Sequence, residues 1–434
     1  MAMAINSVFF SVLNLDPTLQ LVASGTVLIA VSASVVGCFA FLRKRSLVGD
    51  AIAHAVLPGV AIAFMLTTSK SPLVLMAGAL LSGWLAMFCI NYIKQKTKLS
   101  ADTAIALILS VFFGVGILLL THIQHSNAGN QSGLDRFLFG NAASMNQQDL
   151  IAYAGVALLL LLAIAGFYKE LKLVSFNPDF AQAAGLPVKF LNRLLSSLTV
   201  LAISIGIQSV GVVLMAALLI TPAATARNWT NRLGSMLFLA SFFGAISALV
   251  GALVSFSAPA MPTGPWIVMT LSLLALASIL GAPQKGLWAR YHRQKANRQK
   301  IRCENVLKAF YKHEENGGDK TAPVNQKVLQ KIRHFEPAEL NRGLALLQKR
   351  HLIIPKQTGF ILSRKGRKEG ARVVRLHRLW EMYLSQRMRM KTDHIHPNAE
   401  TIEHLITPEI EAMLLKELDY PEKDPHSSPI PYAQ

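Results

Sequence analysis

The sequence predicts an all-α polytopic membrane domain of eight or nine transmembrane helices, followed by a winged-helix domain of α+β type and then a short helical domain. Three observations predict this. Hydrophobic residues make up 52% of the 434 and charged residues only 15%, against roughly 25% charged in ordinary soluble chains. Charge is also unevenly placed: residues 1–284 hold 14 Lys+Arg and 7 Asp+Glu, whereas 285–434 hold 29 and 17. Apolar runs of membrane-crossing length recur throughout the first part and stop before the second. Together these exclude a single soluble globule and a disordered chain. The net charge of +19 divides as +7 and +12. The first excess fits loops that set membrane orientation, and the second points to a polyanionic partner.

The apolar runs lie at 18–41, 51–68, 73–93, 102–121, 149–168, 235–256 and 265–283. A longer stretch, 195–226, remains. The basic loops are Arg43 to Arg45, Lys94 to Lys98, Lys169 with Lys172, Lys189 and Arg193, Arg227 with Arg232, and the tail from Lys285. All face the cytoplasm only if 195–226 crosses an even number of times. That stretch is therefore read as a pair of short spans or a re-entrant hairpin turning near Gln208 and Ser209. The N-terminus is then outside and the C-terminus inside. No basic region precedes the first apolar run, so the first span is read as its own insertion signal. Cys38, Cys89 and Cys303 imply no disulfide framework.

Ionisable residues within a span are functional candidates. Asp50 and His54 lie four apart in SLVGDAIAHAVLPGVAIAF, which places them on one helical face. A rise of ~1.5 Å per residue from the basic loop puts His54 near the bilayer midplane. A carboxylate oxygen with an imidazole nitrogen suits manganese, zinc or ferrous iron. Pro58, four residues on, leaves a backbone carbonyl without its amide partner at that level. Two readings of the pair stand: a metal path, and an Asp–His pair that only packs spans together. His122 and His125 fall in an outer loop and read as solvated. No GxxxxGK[ST] phosphate loop occurs, so the chain does not power transport alone and is not an enzyme.

Residues 46–64 resemble the signature of the manganese/zinc/iron permease family of ABC importers, with Ala53 at a position where that family carries another small residue. Asn177-Pro178-Asp179-Phe180-Ala181, with Ala184-Gly185-Leu186-Pro187, resembles the family's ATPase-coupling segment. Val210-Gly211 and Leu218 to Ala226 resemble its broken late spans. The resemblance covers about 18–283. It implies that Asp50 and His54 line the metal path of a permease dimer, homo- or heteromeric. It also implies a separate ATPase docking on Asn177, Asp179, Ala184, Gly185 and Pro187, and a metal-binding protein outside the membrane. A proton-coupled secondary transporter is the competing class.

Residues 285–300 read as a basic helical linker anchored at the interface by Trp288. Residues 301–370 read as helix 302–315, helix 323–334, helix 337–350 and a hairpin of 352–354 with 360–362. Leu340, Leu344 and Leu347 share one face of the third helix. That order is a winged helix, which reads DNA with its last helix and positions itself through phosphate contacts. Arg342, Lys349, Arg350, Lys356, Arg364, Lys365, Arg367 and Lys368 are the candidate contacts. A winged helix that binds protein is the competing reading, favoured by Glu336 and Glu339.

Beyond 371, His377 and Glu381 are four apart, as are His396 and Glu400, and Glu400 and His404, with Glu403 between them. Carboxylates and imidazoles at this spacing are candidate metal ligands. The pattern resembles the DtxR-type family of manganese- and iron-responsive repressors, from about 301 to the end. It implies a helical metal-binding and dimerisation domain over 371–434, with His377, Glu381, His396, Glu400, Glu403 and His404 as ligands. Glu400 stands where iron-type members carry Cys, which favours manganese. In that family the first helix also supplies a ligand. Here the matching position is Asn305, with Lys308 where a second acid stands. The resemblances imply an importer permease of the cell membrane fused to its own metal-responsive repressor, with operator DNA as a partner. In the alternative, the C-terminal domain gates the permease as a metal sensor and binds no DNA.

Overall fold

The structure is a computed structural model that describes residues 16–44, 46–69, 71–125, 140, 142, 145–257, 261–387, 402, 404 and 406–432. The chain forms two compact units, Met1–Ala289 and Arg290–Gln434. In the first, α1 (Pro17–Leu42) is the most enclosed span. It can be buried because its polar side chains find partners within its own helix. Thr26, Ser32 and Ser34 donate to the carbonyls of Val22, Leu28 and Ala30 at 2.8, 2.7 and 2.6 Å, leaving no unmet hydroxyl in an apolar interior.

The second span is broken. Helix α2 (Ser46–Ala55) and α3 (Leu57–Thr67) meet at Val56. Pro58 has no amide to give the His54 carbonyl, so the ladder is interrupted within one turn past His54. Ser82 Oγ donates to the neighbouring Ala55 carbonyl at 2.6 Å. Ser82 lies on α4 (Pro72–Lys96), which meets α3 where Gly59 and Gly78 lie backbone to backbone. A side chain at either position would separate the two helices. The remaining long helices are α5 (Ala101–His125), α6 (Gln147–Gly166), α9 (Val188–Val210), α11 (Leu233–Ser257) and α12 (Thr263–Gly281). Counting α2–α3 as one span, eight helices among the described residues are long and apolar enough to cross a membrane.

The 195–226 stretch differs from the expected pair of short spans or re-entrant hairpin. Helix α9 has 23 residues, long enough to cross, and begins at Val188. Only α10 (Val212–Arg227), with Pro222 inside it, is short. The turn is at Gly211 rather than Gln208–Ser209, because Gly211 adopts φ +95°, a conformation glycine alone takes without penalty. Met215 lies against Gly206, a spacing that an unbroken helix would hold ~13 Å apart.

Between α6 and α9 lie two short helices, α7 (Tyr168–Phe176) and α8 (Pro178–Ala183). In the second unit, α13 (Leu287–Glu315) is one uninterrupted helix of 29 residues. The expected linker and the first helix of the following domain are thus continuous. Then come α14 (Gln326–Ile332), α15 (Pro337–Lys349), β1 (Ile353–Lys356), β2 (Gly359–Leu362), α16 (Arg364–Gln386) and α17 (Pro408–Glu417). The strands pair antiparallel from Ile353↔Leu362 to Lys356↔Gly359. Pro355, expected in the turn, lies within β1. It is tolerated there because β1 is an edge, β2 having Val324 on its other side. Leu340, Leu344 and Leu347 are buried with Val306, Leu307 and Phe310. Separate small cores join Leu376 to Ile406 and Leu414, and Leu379 to Leu418 and Ile430.

Candidate functional site

Helix α2 buries Ala51, Ile52, Ala53 and Ala55 in the core and leaves the stripe Leu47, Asp50, His54 on its other side. Along that stripe Leu47 is exposed and Asp50 half-exposed, while His54 is mostly enclosed. His54 Nε2 lies 3.6 Å from Asp50 Oδ1, too far for a hydrogen bond but close enough for both atoms to share a cation. The His54 ring packs edge-on to Phe113 of α5, with centroids 4.9 Å apart and planes at 83°. Its Nδ1 is buried without a hydrogen bond among the described residues. Sequence periodicity indicated the pair; Phe113, which fixes the ring, carried no signal in the sequence. His125 Nδ1 is 2.8 Å from the Thr121 carbonyl on the exposed end of α5.

Residues 176–180, 182–185 and 187 form an exposed corner. Asn177 caps α8, its side chain accepting from the Phe180 amide at 3.0 Å. Asp179 lies in the first turn, and Ala184 closes the helix. Gly185, at φ +80°, turns the chain into Pro187 and α9. Phe176, Phe180 and Phe190 all stand exposed around this corner. An apolar triad on a polar-capped elbow is the composition of a protein contact.

In the second unit, His377 Nε2 and Glu381 Oε1 lie 3.1 Å apart on α16, both nearly enclosed. His404 makes a contact elsewhere, with α13. Its Nδ1 meets Glu304 Oε2 of α13 at 2.6 Å, and Lys300 Nζ approaches the same carboxylate at 3.7 Å and the His404 carbonyl at 3.0 Å. Glu304 was missed in the sequence, where it is one of many acids on a charged helix. Its place one turn after Lys300 and one before Lys308 was the available hint. His396, Glu400 and Glu403 lie outside the described residues.

The two α13 positions that the resemblance assigns to ligands, Asn305 and Lys308, do not fit a bound metal. Asn305 Oδ1 accepts from Arg333 Nη1 at 3.1 Å, and Lys308, a cation, is 2% exposed. Among the described residues no three His, Cys, Asp or Glu side chains converge on one point.

Arg342, Lys349, Arg350, Lys356, Arg364, Lys365 and Lys368 are exposed on α15, the hairpin and the start of α16. Arg367, beside them, already has its charge engaged. It makes a paired contact with Glu314 at 2.8 and 3.0 Å, and this ion pair raises the pKa of its guanidinium. Arg378 is committed further still. It bonds both Glu315 oxygens at 2.8 and 2.7 Å, Asp424 at 3.2 Å and the Pro429 carbonyl at 2.5 Å. Such planar forks hold structure rather than ligand.

Residues 16–282 match the ABC 3 transport family, and residues 363–432 match the metal binding and dimerisation domain of iron dependent repressors. The manganese transport system membrane protein MntC of Bacillus subtilis is 43% identical over 375 residues, covering 86% of either chain. That length carries the similarity beyond the membrane unit. The zinc transport system membrane protein TroC of Treponema pallidum is 42% identical over 279 residues, 63% of this chain and 94% of that one. Among solved structures, PsaBC from Streptococcus pneumoniae in complex with Fab is 37% identical with a TM-score of 0.59, covering 67% of this chain and 99% of that chain.

Proposed function

The chain belongs to the ABC 3 transport family, and from that premise we propose that it is the permease subunit of an ATP-driven importer of manganese, with iron or zinc as the neighbouring choices. It is a multi-pass membrane protein fused to a C-terminal domain of the iron dependent repressor type. The pair Asp50–His54 beside the break in the second span carries the reading. An acid facing lipid is expensive, so its half-open stripe faces a water path or a second permease subunit. Two donors are also fewer than a divalent ion takes, and the partner or the carbonyl released by Pro58 supplies others. The manganese and zinc transport relatives support the choice of cargo.

A separate ATPase docks on the corner of Asn177, Asp179, Ala184, Gly185 and Pro187, and a metal-binding protein delivers the ion from outside. The cytoplasmic unit is a winged helix that binds operator DNA through Arg342, Lys349, Lys356, Arg364 and Lys365. The helix-helix-helix-hairpin order and the exposure of these cations support that reading. His377, Glu381, His396, Glu400, Glu403 and His404 are its proposed metal ligands, without a contribution from α13.

Uptake of radioactive manganese into proteoliposomes holding the full chain and its ATPase tests the proposal. Uptake requires ATP and is lost in Asp50→Asn. Uptake that persists without the ATPase would make the chain a secondary transporter instead.

A further inference from the structure

We propose that Lys308 is the resident cation of the α13–α16 interface, supplying within the chain the positive charge that would otherwise come from a bound metal. Five observations carry this. Lys308 is 2% exposed, and an ammonium is buried at such depth only when negative charge compensates it. Glu381 is also 2% exposed, and its contact on its own helix is the His377 imidazole at 3.1 Å. The other two buried acids of this unit among the described residues, Glu411 and Asp424, each face a guanidinium, Arg375 and Arg378 respectively.

The helical phases bring the two groups to one interface. Gly370, Val374, His377 and Glu381 share a face of α16. Gly370 on that face lies against Leu307 and Tyr311 of α13. Lys308 shares the α13 stripe of Glu304, Leu307 and Tyr311. The buried acid and the buried base thus belong to the facing sides of two packed helices. Arg367–Glu314 and Arg378–Glu315 join the same two helices as further ion pairs.

The last observation is the disagreement with a metal on α13: the amide of Asn305 is engaged by Arg333, and the next position one turn away carries a positive charge. A lysine here supplies positive charge from the α13 side, so an ion held by the α16 side chains would gain no ligand from α13. The α13–α16 joint therefore closes without metal, and the second unit is organised for its partner in the presence of a chelator. This inference rests on the packing of the second unit alone and does not depend on what the membrane unit carries.

Hydrogen–deuterium exchange of the full chain in detergent, read on peptides from α13 and α16, tests it. In wild type, protection of both helices in chelator matches that in saturating manganese chloride within about twofold. Lys308→Met exchanges at least about tenfold faster there in chelator, and Lys308→Arg stays protected. Lys308→Glu loses protection in chelator and regains it with manganese. If Lys308→Met exchanges fast throughout the unit, α15 included, the wild-type comparison still decides. Wild-type protection that collapses in chelator and returns with manganese overturns the proposal, as does a Lys308→Met chain as protected as wild type.

Discussion

Glu304 and His404, one hundred positions apart, meet at 2.6 Å through Oε2 and Nδ1. The contact ties the first helix of the cytoplasmic unit to a segment near its end. Lys300, on both the Glu304 carboxylate and the His404 carbonyl, makes it a three-residue clasp. Glu304 and His404 are mostly enclosed while Lys300 is about half exposed, so losing either Glu304 or His404 leaves the other's polar group unmet. Glu304→Ala and His404→Ala should each destabilise the unit by about 2 kcal/mol, and the double variant by less than the sum. Opening free energies from hydrogen exchange on α13 check this; strictly additive losses would show that the two residues act apart.

What the sequence made legible follows from periodicity. Asp50–His54 and His377–Glu381 are pairs one helical turn apart, and helical spacing put them together before any fold was known. Glu304–His404 has no period to betray it, and neither does Phe113 against His54. The break in the second span was readable from Pro58, whereas the turn after α9 was placed at two polar residues when the decisive one was a glycine. Arg367 looked like its neighbours Arg364, Lys365 and Lys368; only the position of Glu314 in space shows that its charge is already paired.

Arg378 sets a second test. Its guanidinium, 6% exposed on its side chain, holds Glu315, Asp424 and the Pro429 carbonyl together. Arg378→Ala strands two carboxylates and should cost about 3–5 kcal/mol. The segment 424–430 should then become the first site of limited proteolysis. Arg378→Lys restores charge but not the fork and should recover only part of the loss.

Gly211 sets a third. At φ +95° an alanine is strained by about 1–2 kcal/mol, and α9 and α10 can no longer fold back without that cost. Gly211→Ala should lower the yield of monodisperse protein in size-exclusion chromatography. Gly155→Ala, with open space around its Cβ, should leave it unchanged or slightly improved.

The exposed phenylalanines around α8 allow stability and coupling to be separated. Phe180 is 58% exposed, so Phe180→Asp removes little packing from the chain itself. On an ATPase contact it places a charge in an apolar seat, where alanine-scan losses at such anchors reach about 2 kcal/mol or more. Co-purification of the ATPase should fall by about tenfold or more, with the permease level in the membrane unaltered. Undiminished co-purification would move the docking surface elsewhere.

Pro58 tests whether the broken span is a device for transport or an accident of packing. The break leaves the His54 carbonyl without an amide partner in a part of the fold that is otherwise well bonded, a cost natural helices avoid unless something uses the group. Pro58→Ala restores the missing donor and lets α2 and α3 join. The variant should be as stable as wild type or more so, by up to about 3 kcal/mol, read as a higher unfolding temperature in detergent. Manganese uptake should fall at the same time by about tenfold or more, because the His54 carbonyl is recaptured by the backbone. A variant that gains stability and keeps its uptake would assign the proline to packing against Gly116 and leave Asp50 and His54 to hold the ion with side chains alone.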